Sequence, residues 1–107
     1  IEFPQTNLVL GKRRPTLLLS RTPGRHDDWL VCMLSTELAQ AVPDFDEIVQ
    51  PADADFQRTG LKVASVIRLA RLAVVESSLL IGAIGAISSV RLQEIQRKLA
   101  AWLNPVQ

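Results

Sequence analysis

The chain has 107 residues, 48% of them apolar, enough for one domain (residues 1–107) with a modest core and too many for a disordered chain. Aromatics make up 5% and Tyr is absent, which excludes a base-stacking sheet surface built from several aromatic side chains. The net charge of +1 is too small to argue for a polyanionic partner, but its distribution is uneven. Glu37 to Asp55 carries six acids and no Lys or Arg, whereas Arg58 to Lys98 carries seven bases and two acids. One face can therefore be locally positive despite the neutral total.

Cys32 stands alone in an apolar run and reads as a core residue. A single cysteine forms no intrachain disulfide, which fits a cytoplasmic chain, and Cys32 with His26 is too few ligands for structural zinc. The most apolar stretch, Ser77 to Val90, is too short and too rich in Ser and Gly to span a bilayer. No signal peptide and no membrane association are expected. The chain opens at Ile1 without Met, so a trimmed terminus and a partly missing first strand are expected.

In chain order, Ile1 to Pro4 reads as the end of an edge strand stopped by proline. Gln5 to Arg14 reads as a loop holding Leu8-Val9-Leu10, which form either a contact surface or a fold-back onto the core. At its end Lys12-Arg13-Arg14 meets Pro15. Three like charges cannot enter a core; they persist in solvent or opposite an anion, and the planar fork of Arg suits phosphate. An ordinary solvated loop is the plain alternative. Thr16 to Ser20 follows as a buried strand. Thr22 to Asp28 is dense in turn formers, and His26 there is read as a solvated side chain rather than a base. Trp29 to Ser35 reads as a central strand ending in two hydroxyls, Ser35 and Thr36.

Glu37 to Gln40 suggests a short helical turn, broken at Pro43-Asp44. Glu47 to Gln50 is a weak strand and Pro51 to Gly60 a loop, with Asp53 and Asp55 expected to be solvated rather than metal ligands. Lys62 to Leu69 and Arg71 to Val75 read as two strands. Glu76-Ser77-Ser78 turns the chain. Ile81 to Ile87 is a third apolar segment whose glycines permit close backbone approach. Ser88 to Leu103 is a helix, capped by Ser88 or Ser89, with an apolar stripe of Leu92, Ile95, Leu99, Trp102 and Leu103. Arg97 and Lys98 are placed to complement its dipole. Five to seven short strands and one terminal helix predict a mainly β fold, a strongly bent sheet or barrel, over a βαβ fold.

The order of these pieces has a parallel. An Arg-Arg-Pro-x-Leu-x-Leu-Ser strand precedes an apolar strand ending in Leu-Ser-Thr. An acidic stretch follows, then Gly60-Leu61-Lys62-x-x-Ser65-Val66-Ile67-Arg68-Leu69, then Ile84-Gly85-Ala86-Ile87-Ser88 and a terminal helix. This order resembles the PemK/MazF family of toxin endoribonucleases of bacterial toxin–antitoxin pairs, through nearly the whole chain. The resemblance implies a small SH3-like β-barrel with a C-terminal helix, and a homodimer. It also implies cleavage of single-stranded RNA without metal or other cofactor, leaving a 2′,3′-cyclic phosphate and a 5′-hydroxyl. A cognate antitoxin would block the groove, and the chain alone would not bind DNA.

The resemblance carries two catalytic positions onto this sequence: Arg14, before the proline of the second strand, and Ser35, the hydroxyl ending the third. The substrate's own 2′-OH is the nucleophile, so the protein must stabilise the pentavalent phosphate's charge and manage protons. A fixed guanidinium supplies the first and a hydroxyl a second donor. Arginine is a poor base, so Arg14 is assigned to charge stabilisation. Lys12, Arg13 and Thr36 are expected to contact RNA; Arg68 is expected either to contact phosphate or to be a barrel-surface cation. The sequence also departs from the family. Ala70 stands where some relatives place an Asp, the Ile81–Ile87 segment carries no base, and no loop His precedes Arg14. The group that takes the 2′-OH proton is thus left open, and an inactive binding module of the same fold that still pairs with an antitoxin is the alternative.

Overall fold

The computed structural model describes the backbone of residues 3–10 and 12–105 and the side chains of residues 14–105. Six strands form one antiparallel sheet: β1 (Phe3–Leu10), β2 (Lys12–Arg21), β3 (Asp28–Ser35), β4 (Glu47–Val49), β5 (Ser65–Glu76) and β6 (Leu80–Ile87). Their order is β4-β5-β3-β2-β1-β6. A four-residue helix, α1 (Phe56–Thr59), precedes β5, and α2 (Ser89–Leu103) closes the chain. Short 3-10 turns occur at Leu38–Gln40 and Ser77–Leu79.

Strand alternation sorts the central residues onto two faces. Leu17, Leu19, Cys32, Leu34, Ile67 and Leu69 point to the side that α2 covers with Leu92 and Ile95, forming the main core. Leu18, Val31 and Val75 point the other way and are covered by Trp29, Met33, Leu79 and Leu80. Because both faces are packed here, Leu17-Leu18-Leu19 is a continuous apolar run rather than an alternating one. The sheet curls into an SH3-like half-barrel over α2.

The curl has a local cause. Cys32 pairs with Leu72 and the next residue, Met33, with Arg68, so Leu69, Ala70 and Arg71 have no partner on β3. Such a bulge bends a strand and frees backbone groups. One of them is met by a side chain: the Leu69 N–H donates to Asp46 Oδ1 at 2.9 Å, while Asp46 Oδ2 accepts from the Val42 N–H at 2.8 Å. The other end of the sheet is interlocked by two glycines. A Cβ on Gly85 of β6 would lie 2.2 Å from the Arg58 carbonyl oxygen, and one on Gly60, which caps α1 at φ 74°, would lie 2.0 Å from that of Ile84. The close approach expected of the Ile81–Ile87 glycines is thus made by Gly85; Gly82 has open space.

Several expectations are corrected. Gln5 to Arg14 is not a loop: β1 and β2 pair from Gln5↔Leu17 to Leu10↔Lys12, and only Gly11 between them lies outside the described residues. Polar side chains there do not disfavour a strand whose backbone is bonded on both sides. Nor is the first strand an edge, since β1 sits between β2 and β6. The segments read as two strands around Ala70 are one, β5, broken in register by the bulge. The loop before Gly60 contains α1. Of the helix stripe, Leu92 and Ile95 are buried and Leu99 packs on the core, but Trp102 and Leu103 are exposed; Trp102 stacks edge-on against Phe45 at 5.6 Å between ring centroids.

Candidate active site

The antiparallel register of β2 and β3 places the predicted pair. The ladder's last pair at this end is Thr16↔Met33, and extending it two residues sets Arg14 across from Ser35. At Pro15 the strand still pairs with β1, through Asn7, but is already past the end of its pairing with β3. Proline has no N–H to leave unsatisfied at such an opening, and its fixed φ stiffens the approach to Arg14. Between the diverging strands lies a pocket of about 250 Å³. Pro15 and Leu34 form its apolar wall, and Arg14, Ser35, Thr36, Glu37 and Ser65 supply its polar groups.

These groups are not equivalent. The Ser35 hydroxyl accepts the Glu37 backbone N–H at 3.1 Å. That bond fixes the side chain and leaves the hydroxyl proton to be donated elsewhere. The Ser65 hydroxyl is already committed as a donor to the Val63 carbonyl at 3.0 Å. Among the described residues that line the pocket, Arg14 and Glu37 are the charged ones, and both are exposed. Among the described residues neither side chain has an ion-pair partner.

The other predicted positions are dispersed. Thr36 lies in the pocket wall. Lys12 and Arg13 are described by their backbone, which pairs with Leu10 and Val9 on the strand leading into Arg14. Arg68 lies opposite Met33, on the same sheet face as Arg14 and Ser35 and one pleat from the Ser35↔Val66 pair. It is not part of the pocket wall. Its Nη1 approaches Gln40 Oε1 at 3.5 Å, and its buried Nε has no hydrogen-bond partner among the described residues. Two polar residues of the pocket wall, Ser65 and Glu37, are not among the predicted positions; Glu37 stands two residues after Ser35, where the chain leaves β3.

A larger groove, of about 960 Å³, runs beside α2 and is built on ion pairs. Arg91 bonds Asp55 twice, through Nε to Oδ2 and Nη2 to Oδ1, each at 2.9 Å, and reaches Asp53 at 2.9 Å and Glu47 at 3.3 Å. Lys98 joins Glu47 at 2.7 Å. Asp55 also accepts the Ser88 N–H, at the first turn of α2, at 3.1 Å. The Arg91 hydrogen bonds hold the Asp55 carboxyl down at about 2, and Asp55 in turn raises Arg91. Asp55 is 6% exposed. The expectation that Asp53 and Asp55 are solvated loop acids is therefore wrong for Asp55 and only partly right for Asp53: these acids tie α2 to the α1 loop and β4. Arg97 pairs with Glu94 and Lys98 with Glu47, so both cations have closer partners than the helix terminus. Among the described residues no three His, Cys, Asp or Glu side chains cluster as metal ligands. Burial, with the Asp46 charge second, pushes the Cys32 thiol up to about 12.

Fold and pocket together define a small SH3-like half-barrel with an Arg–Ser cleft at the open end of its central strands. The chain belongs to the PemK-like, MazF-like toxins of type II toxin–antitoxin systems, whose family profile matches residues 1–103. Against curated proteins the sequence finds no match. Among solved structures it is similar to the Mycobacterium tuberculosis toxin MazF-mt6, at TM-score 0.73 and 18% identity over 97% of this chain and 99% of that one. It is also similar to an endoribonuclease in complex with its cognate antitoxin from a mycobacterial species, at TM-score 0.69 and 16% identity over 99% and 94%. At these identities the likeness establishes the fold.

Proposed function

We propose that the chain is a sequence-specific, metal-independent endoribonuclease that cuts single-stranded RNA at the Arg14–Ser35 pocket. The observation that carries this reading is the convergence of a guanidinium, unpaired among the described residues, and a hydroxyl with its proton free to donate. In RNA cleavage the 2′-oxygen attacks the adjacent phosphorus, and negative charge grows on the non-bridging oxygens. Arg14 stabilises that charge and Ser35 donates a hydrogen bond to it. Thr36 lines the same pocket, and Lys12, Arg13 and Arg68 track the phosphates on either side. Family membership and the antitoxin complex of a structural neighbour support a cognate antitoxin, which in this reading covers the cleft. A homodimer acting in the cytoplasm completes the reading.

The test uses a single-stranded RNA in EDTA and a matched strand with one 2′-deoxyribose at the mapped cut. The expected result is fragments ending in 2′,3′-cyclic phosphate and 5′-hydroxyl from the first and no cut at the modified position in the second. Cleavage that survives the deoxy substitution, or that needs added metal, refutes the mechanism. A chain that binds antitoxin and leaves all RNA intact is the inactive binding module instead.

A further inference from the structure

Cleavage through the 2′-OH needs an acceptor for its proton, and neither Arg14 nor Ser35 is one. Arginine stays protonated in proteins. The Ser35 oxygen already accepts the Glu37 N–H. Ala70, exposed on the β5 bulge, offers no carboxylate. Among the described residues that line the pocket, one Brønsted base remains: the carboxylate of Glu37.

We propose that Glu37 is the general base of the reaction, an inference that rests on the ribonuclease reading above. Three features of its setting support the role. It lines the same pocket as Arg14 and Ser35, so one phosphodiester can reach all three. Its backbone is fixed to Ser35 by the 3.1 Å hydrogen bond, which couples the place of the carboxylate to that of the phosphate-binding hydroxyl. And its carboxylate makes no ion pair among the described residues, whereas Glu47, Asp53 and Asp55 are held by Arg91 or Lys98. Arg14, from β2, is the other charged residue of the pocket wall among those described; Arg68, from β5, lies one pleat further along the same face.

The step balances as follows. The 2′-oxygen bonds to phosphorus as its proton passes to a Glu37 carboxylate oxygen. The P–O5′ bond breaks, the 5′-oxygen takes a proton from water, and Glu37 returns its own proton to solvent. No oxidant, metal or co-substrate is required.

The experiment is steady-state cleavage of a short single-stranded RNA in EDTA as a function of pH, by the parent chain, Glu37→Gln and Glu37→Asp. Binding of the uncleavable 2′-deoxy analogue is measured in parallel. The expected result is a kcat lower by about 10²–10⁴-fold in Glu37→Gln, the range of general-base loss, with analogue affinity unchanged. The rising acidic limb of the parent's pH–rate profile disappears in that variant. Glu37→Asp keeps the limb with a smaller loss. A Glu37→Gln variant that cleaves at the parent rate, or keeps the limb, overturns the base assignment while leaving the ribonuclease reading intact. A parent chain that cleaves nothing overturns both.

Discussion

Replacing Asp55 by Asn removes one carboxylate from the centre of the network that holds α2 onto the α1 loop and β4. The Asp55 carboxyl sits at about 2 rather than the 3.8 of a free aspartate, because Arg91 bonds its charged form. A depressed folded value means that the stabilisation is fully present above pH 3.8 and is lost as pH falls through about 2. The difference corresponds to about 2 kcal/mol, and the near-complete burial of Asp55 keeps solvent from screening it. Arg91 retains Asp53 and Glu47, so the loss stays below the roughly 3–5 kcal/mol of a stranded buried charge. Asp55→Asn is therefore expected to lower unfolding free energy by about 2 kcal/mol at neutral pH and to flatten the fall in stability below about pH 4. Urea denaturation followed by far-ultraviolet circular dichroism, repeated across acid pH, reads both. A variant within about 0.5 kcal/mol of the parent at pH 7, or one with the parent's full acid slope, refutes the reasoning.

Other outcomes follow from the same geometry. Gly85→Ala pushes a methyl group into the Arg58–Thr59 backbone and should cost about 1–3 kcal/mol in unfolding free energy, whereas Gly82→Ala, in open space, should be close to neutral. The Ser88 hydroxyl accepts the Arg91 N–H at 3.2 Å as the cap of α2, so Ser88→Ala should cost about 1 kcal/mol by thermal denaturation. Cys32, fully buried with its thiol pushed up to about 12, should resist an aromatic disulfide reagent in the folded chain and react when urea unfolds it. Ser35→Thr keeps a hydroxyl at the pocket and should retain cleavage, while Ser35→Ala should lose most of it, measured as kcat on the same RNA.

The strands with dense apolar runs were legible in the sequence. Thr16 to Ser20 and Trp29 to Ser35 lie inside β2 and β3, the capped terminal helix is α2, and the apolar segment Ile81 to Ile87, not assigned as a strand from sequence, lies in β6. The hairpin of β1 and β2 was not legible, because Gln5-Thr6-Asn7 is polar and the partners that make it a strand lie far along the chain, on β6 at Gly85 and Ala83. The break near Ala70 was visible as an interruption, but a bulge inside one strand and a turn between two look alike without the pairing register. The acids showed the same limit. Asp53 and Asp55 have turn-forming neighbours, and nothing local reveals that Arg91, 36 residues after Asp55, folds back onto them. At the candidate site, Arg14 and Ser35 are positions that the family resemblance implies, and both line one pocket. Glu37 belongs to an acidic stretch in which Glu47, Asp53 and Asp55 are tied to α2 and Asp46 to the Leu69 and Val42 backbone, and the sequence alone does not separate it from them.

The central claim is that Arg14 supplies the charge that RNA cleavage needs. Its most direct test is the rate at which the parent chain and Arg14→Ala cut the same single-stranded RNA in EDTA, with urea denaturation confirming that both are folded. The expected result is cleavage by the parent and a loss of about 10²–10³-fold or more in the variant, as for removal of a transition-state charge donor. Equal rates from the two folded proteins would contradict it.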